Sequence, residues 1–212
     1  MTAGGQARIS YAEPMARHTS WRVGGPADVY FRPRSREELV DFLRQLDPAT
    51  PVHWVGLGSN LLVRDGGIRG VVISTHGTLD ALERRADGSV YGEAGVACAR
   101  IAKQCVRWGL GAAEFFAGIP GTLGGALAMN AGAFGGETWR HVVSVETIDR
   151  AGAVRVRTAG EYQVSYRHVE APAQGEWFLA ATLRFETRAD ADESAVRALL
   201  EKRRQTQPIG EW

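Results

Sequence analysis

Residues 117–136 read AGIPGTLGGALAMNAGAFGG, a run crowded with glycine and free of charge in a chain that is otherwise evenly charged. Two explanations compete. Either the stretch crosses something apolar, or it lets backbone lie close to something. Gly121 and Gly125 have the GxxxG spacing of a transmembrane dimerisation face, and the run is long enough for a bilayer. The energetics oppose that: Gly, Thr, Asn and Pro contribute little or unfavourable transfer free energy, and Pro120 with Gly121 breaks any helix near its start. No Lys/Arg asymmetry around the run sets an orientation. The stretch is therefore expected to be a loop. Gly118, Gly121, Gly124 and Gly125 surround a proline-fixed turn, and a short helical patch, GALAMNA, follows. Glycine permits positive φ and removes Cβ atoms, so amides can face a ligand, and a helix N-terminus adds partial positive charge.

Upstream, VGLGSNLLV (55–63) sets Gly56, Gly58, Ser59 and Asn60 directly after a strand. It is not a Rossmann fingerprint, which needs a third glycine where Leu61 stands and a helix after the turn; here another strand is expected. Without GK[ST] it is not a P-loop either. What remains is a turn whose N–H groups, serine hydroxyl and asparagine amide can bind phosphate without a lysine. Two such loops suggest a dinucleotide clamped between two lobes, its diphosphate neutralised mostly by backbone dipoles. Close packing between the lobes accounts for the glycines equally well.

Outward from the loops, SREELVDFLRQL carries Ser35 and Glu38 as a capping box and Leu39, Phe42, Leu43 and Leu46 at helical spacing. ADVYFRP before it and VHWVG and GVVIS after it read as strands. From residue 76 the pattern shifts: a hairpin at Asp87–Gly88, a helix over ACARIAKQCVRWGL with Gly109 as its C-terminal glycine, then strands VVSVETIDR, VRVRT and WFLAATLRFE. DADESAVRALLEKRRQ closes as an amphipathic helix, acidic at its start and basic at its end. The expected fold is α+β in two lobes: an N-terminal extension (1–18), a first lobe (19–75), a second lobe (76–205), and the start of a linker (206–212).

Lys+Arg 25 against Asp+Glu 24 leaves a net charge of +1, with no basic footprint for nucleic acid or a membrane surface. Cys98 and Cys105 fall on one apparent helix, outside any CxxC pattern, and read as buried thiols in a reducing compartment. No apolar leader segment precedes residue 18, so a cytoplasmic location is expected. His18, His53, His76, His141 and His168 pair with no carboxylate at metal-ligand spacing, and no metal site is expected.

TSWRVGGPADVY (19–30), GLGSNLLV (56–63), EFFAGIPGTLGGALAMNAGAFGGE (114–137), VSYR (164–167) and KRRQTQP (202–208) resemble, in this order, the UDP-N-acetylenolpyruvoylglucosamine reductase family. The resemblance covers residues 18–208 and is similar to the shorter of the family's two forms, which lacks an inserted tyrosine loop. It implies the two-lobed FAD-binding fold of the vanillyl-alcohol oxidase type, with FAD held non-covalently between the lobes. Gly56, Leu57, Gly58, Ser59, Asn60 and Leu61 would contact it from one side. Gly118, Ile119, Pro120, Gly121, Thr122, Gly124, Gly125 and Ala126 would contact it from the other, with Asn130 and Gly132 supporting the loop. Arg22, Gly24 and Gly25 would add a further contribution from the first lobe. Arg167 matches the family's catalytic arginine, and Tyr166 lies on the substrate side. The implied activity uses NADPH as co-substrate to reduce UDP-N-acetylglucosamine-enolpyruvate in peptidoglycan synthesis, by a monomer.

The family pattern continues past TQP into a third domain, whose G-S-[VF]-F motif supplies a proton-donating serine and which ends with an assisting glutamate. This chain stops at Trp212, before either, and is expected to be catalytically incomplete alone. GSVY (88–91) imitates the serine motif, but Ser89 sits in an early hairpin and reads as a turn residue. Two further readings stay open: a non-catalytic FAD-binding module, and an oxidase of the same fold with covalent flavin. The second lacks a histidine within the glycine loops; His18 and His76 are the nearest.

Overall fold

The computed structural model describes residues 8–188 and 193–206. Its first sheet holds β1 (Arg8–Pro14), β2 (Pro26–Arg32), β3 (Val52–Val55) and β4 (Ile68–Ser74) in the order β1-β2-β4-β3. β4 runs parallel to both β2 and β3, and β1 antiparallel to β2. Between β2 and β3 lies α1 (Arg36–Gln45), which begins as its sequence dictates: Ser35 accepts from the Glu38 amide. The Glu38 carboxylate reaches the Arg34 amide, one residue further back than a capping box requires.

Two expectations need correction here. Residues 8–14, assigned to an extension outside the first lobe, are a strand of its sheet, in register with β2 from Arg8↔Arg32 to Pro14↔Pro26. Residues 56–67, expected to run from the turn into another strand, contain none. The parallel pairing of β3 with β4 explains this, because the chain must travel back along the sheet before β4 can start. That return path leaves Gly56–Leu61 as an irregular loop at the carboxyl end of β3, where open parallel sheets place their ligands.

The second sheet uses β5 (Leu82–Arg84) and β6 (Val90–Glu93), joined by the expected hairpin. α2 (Cys98–Arg107) then buries Cys98, Ile101, Ala102, Cys105 and Val106, one helical stripe, and ends at Gly109 with φ +69°. After the short β7 (Leu110–Gly111), the glycine-rich stretch forms a 3-10 turn (Glu114–Gly118), α3 (Leu123–Ala128) and a small hairpin of β8 (Gly132–Ala133) and β9 (Gly136–Glu137). No helix among the described residues is long and apolar enough to cross a membrane.

β10 (Val142–Asp149) and β11 (Val154–Thr158) follow, then a separate hairpin of β12 (Gln163–Ser165) and β13 (His168–Glu170), then β14 (Glu176–Leu183), β15 (Glu186–Thr187) and α4 (Glu193–Thr206). The five-stranded order is β11-β10-β14-β6-β5. The acidic start expected for α4 at residues 190–192, and the stretch 207–212, lie outside the described residues.

α1 is wedged between the sheets. Its Leu39 and Leu43 share a core with Phe31, Val71 and Ile73 of the first sheet and with Ile148 and Leu179 of the second. At its start, Arg36 binds Glu93 on β6 (Nε to Oε1, 2.7 Å), Glu146 on β10 and the Tyr91 hydroxyl.

Candidate functional site

The two glycine loops meet. A Cβ on Gly56 would collide with the Thr122 side chain, and one on Gly121 would stand 3.3 Å from Ser59 Oγ. Asn60 completes the junction by donating from Nδ2 to Met129 Sδ at 2.8 Å. Around it opens a cleft of about 720 Å³, within the usual range for small-molecule sites. It is lined by Gly56, Leu57, Gly58, Ser59, Asn60 and Leu61 from one loop, and by Gly118, Ile119, Pro120, Gly121, Thr122, Gly125, Ala126 and Gly132 from the other. Arg167 reaches the same cleft and, among the described residues, is the one charged residue of its lining.

Many of the donors in the cleft are main-chain groups. Among the described residues, none of the amides from Leu57 to Leu61, nor those of Gly121 and Thr122, donates to another backbone carbonyl. A set of amides without backbone partners along one cleft is available to an external acceptor. Trp54 also borders the cleft, but its side chain packs with the core around α1 and on Trp177; its Nε1 is the one buried side-chain N or O atom without a partner among the described residues. The α3 N-terminus departs from expectation. α3 has only six residues, and its Leu123 and Gly124 amides are engaged by the carbonyls of Val96 and Ala94, at 2.8 Å each. Those two amides hold α3 against the second sheet and are unavailable to a ligand.

Other expected residues stand behind the cleft. Gly124 does not line it; a Cβ there would press on Ala94 at 3.0 Å, so this glycine serves helix packing. Asn130 is also absent from the lining, is 4% exposed, and braces the loop with φ +41°. Arg22, Gly24 and Gly25 lie off the cleft; the Gly25 amide donates to the Arg64 carbonyl at 3.1 Å and pins residues 22–25 to the segment after the first loop. Tyr166 is 83% exposed and outside the lining, beside Arg167.

Sequence reasoning missed Trp54, Val55, Ala128, Met129, Ala131, Ala133 and Phe134, which also line the cleft. Most are small or apolar side chains with no chemical signature of their own. Phe134 and Gly135, both at positive φ, form the two-residue turn between β8 and β9 and carry the Phe134 ring to the cleft.

His18 lies beside Gly56 and Leu57 on a smaller cleft, but its Nε2 is 2.9 Å from Glu13 Oε1 and its ring stacks on Tyr30 at 4.1 Å. Cys98 and Cys105 are free and buried, and burial pushes both thiols up to about 12, which keeps them protonated and unreactive. Ser89 is the turn residue expected, its Oγ donating to Asp87 Oδ1 at 2.6 Å. No cluster of three or more His, Cys, Asp or Glu able to hold a metal occurs among the described residues.

A cleft between two sheets, walled by main-chain amides from two glycine loops, defines a flavin-dinucleotide-binding protein. Residues 27–157 match the family described as FAD binding domain. More particularly, the chain belongs to the UDP-N-acetylenolpyruvoylglucosamine reductase family. It is 61% identical over 205 residues to the reductase of that name from Alkalilimnicola ehrlichii, covering 96% of this chain and 68% of the relative. It is 53% identical to the one from Methylococcus capsulatus, covering 92% and 64%. The chain thus spans about two thirds of the length of these relatives. The crystal structure of the Thermus caldophilus reductase superposes with TM-score 0.78 at 28% identity, over 96% of this chain and 71% of that one. A solvent-stable cholesterol oxidase superposes at 0.62 with 20% identity, over 86% and 38%, and shares the fold.

Proposed function

We propose that the cleft holds FAD non-covalently, and that the chain is the flavin-binding part of an NADPH-driven reductase of UDP-N-acetylglucosamine-enolpyruvate that yields UDP-N-acetylmuramate for peptidoglycan synthesis. With this go a monomeric state, a cytoplasmic location, and two lobes divided near residue 75 as the jaws of the cleft. The observation that carries the reading is the contact between the glycine loops, with seven amides there lacking backbone partners. A diphosphate bridge is the part of FAD that such donors suit, because it offers acceptors and negative charge without requiring a lysine.

The bound cofactor would supply hydride chemistry, taking hydride from the nicotinamide and giving it to the enolpyruvyl carbon. The chain's own residues do the rest. Gly56–Leu61 and Gly121–Thr122 would hold the diphosphate, and the apolar Ile119 and Ala126 would help exclude water from the bound cofactor. Arg167, the one cation on the lining among the described residues, would pair with the substrate carboxylate, onto which hydride addition pushes charge. A guanidinium is always protonated and binds both oxygens at once, so it stabilises that charge where it develops.

Titrating the folded chain with FAD tests the reading: flavin fluorescence should quench on binding, and acid precipitation should leave the yellow colour in solution. A folded chain that leaves flavin fluorescence unchanged would end it, and colour retained in the pellet would end the non-covalent part.

A further inference from the structure

The hairpin that carries Arg167 is held to the molecule by few polar contacts. β12 and β13 pair only with each other, closing the two-residue turn Tyr166–Arg167 between Ser165 and His168. Arg167 has φ +56°, and Tyr166 is not at positive φ. A positive φ at the second central position of a two-residue turn favours glycine or asparagine. An arginine there is strained and needs an outside brace.

Asn130 is the side chain in place to provide it. It follows α3 directly, is 4% exposed, and donates from Nδ2 to the Ser165 carbonyl at 3.2 Å. Among the described residues this is the sole hydrogen bond between residues 163–170 and the rest of the chain. The side chain itself is fixed: its Oδ1 accepts from the Trp139 amide at 3.1 Å, and Nδ2 also reaches Glu137 Oε2 at 3.3 Å. Asparagine suits the site twice over, since it tolerates the local φ of +41° and offers a donor and an acceptor in one plane.

We propose that Asn130 is a positioning residue for Arg167: through the Ser165 carbonyl it couples the cofactor loop to the turn that aims the guanidinium into the cleft. This rests on the reading that Arg167 faces bound flavin and substrate.

Two measurements on the full chain separate the possibilities. Trypsin cleavage after Arg167, followed without cofactor, reports how often the hairpin opens; Asn130→Gly removes the hairpin's bond at Ser165, together with the side chain's own bonds to Trp139 and Glu137, and should speed it by about two- to tenfold. The midpoint potential of bound FAD, measured at saturation, reports the cation. Arg167→Gln should lower it, Asn130→Gly should shift it the same way, and the double variant should match Arg167→Gln alone. Unchanged cleavage, or a further shift when Asn130→Gly is added to Arg167→Gln, overturns the proposal, since a merely structural asparagine would act independently of the arginine. No shift from Arg167→Gln would remove the Arg167 reading beneath it. Should the glycine variant fail to fold, Asn130→Asp serves for the cleavage measurement alone: it keeps the acceptor for Trp139 and loses the donor to Ser165, while its added charge beside Glu137 excludes it from the potential measurement.

Discussion

Single atoms set the chemistry of this cleft. Gly56 has room for a hydrogen and nothing larger, because Thr122 stands where a Cβ would go. Gly56→Val should therefore push the two loops apart and weaken FAD binding by at least tenfold, read by fluorescence titration, while circular dichroism stays native. Arg167→Lys keeps the charge but loses the planar fork. Introduced into a full-length relative, it should cut kcat by roughly 10² to 10³-fold, the scale seen when one oxyanion donor is removed, with FAD content unchanged. Equal turnover would remove Arg167 from the chemistry. The loops were legible because glycine at fixed intervals is a backbone statement. Asn130 was legible only as part of a motif; its brace on Ser165 depends on a hairpin thirty-odd residues away, which no local pattern records.

Among the elements, the helices were the easiest to anticipate. Ser35 and the apolar spacing after it mark α1 unambiguously, and Ser35→Ala should cost about 1 kcal/mol of stability in a denaturant melt by orphaning the Glu38 amide. β1 escaped because its apolar residues point the wrong way for a signal: Ile9 is 45% exposed and Tyr11 76%. Its place is set by backbone pairing to β2, which carries no sequence periodicity. The extra strand expected after Asn60 failed for a related reason. Leu61, Leu62 and Val63 look like a β run, yet Leu61 packs against the core and Val63 is buried while Leu62 is 67% exposed, as loop residues filling gaps beneath a sheet. At the edge of the second sheet, the Arg157 guanidinium, 2.7 Å from Glu176, holds that carboxyl below its ordinary value of 4.5, with help from the Thr147 hydroxyl. The unfolded chain takes up this proton at higher pH than the folded one. Glu176 therefore stabilises the fold fully above about pH 4.5 and progressively less as pH falls through the lowered folded value. Glu176→Gln should flatten that acid limb of the stability curve.

On the scale of the whole molecule, the sheets share one core through α1, and Arg36 ties the helix to both Glu93 and Glu146. Calorimetry should therefore record a single unfolding transition. Arg36→Ala removes the cation shared by these two part-buried carboxylates and should cost about 1–2 kcal/mol, between the values for exposed and buried pairs, and broaden or split that transition. A helix driven between two sheets like a keystone also fixes the gap between them before any flavin arrives. Capture should then look like a key entering an open lock: in stopped-flow mixing, one exponential phase whose rate climbs in proportion to FAD concentration, with no plateau to betray a slow clamping step.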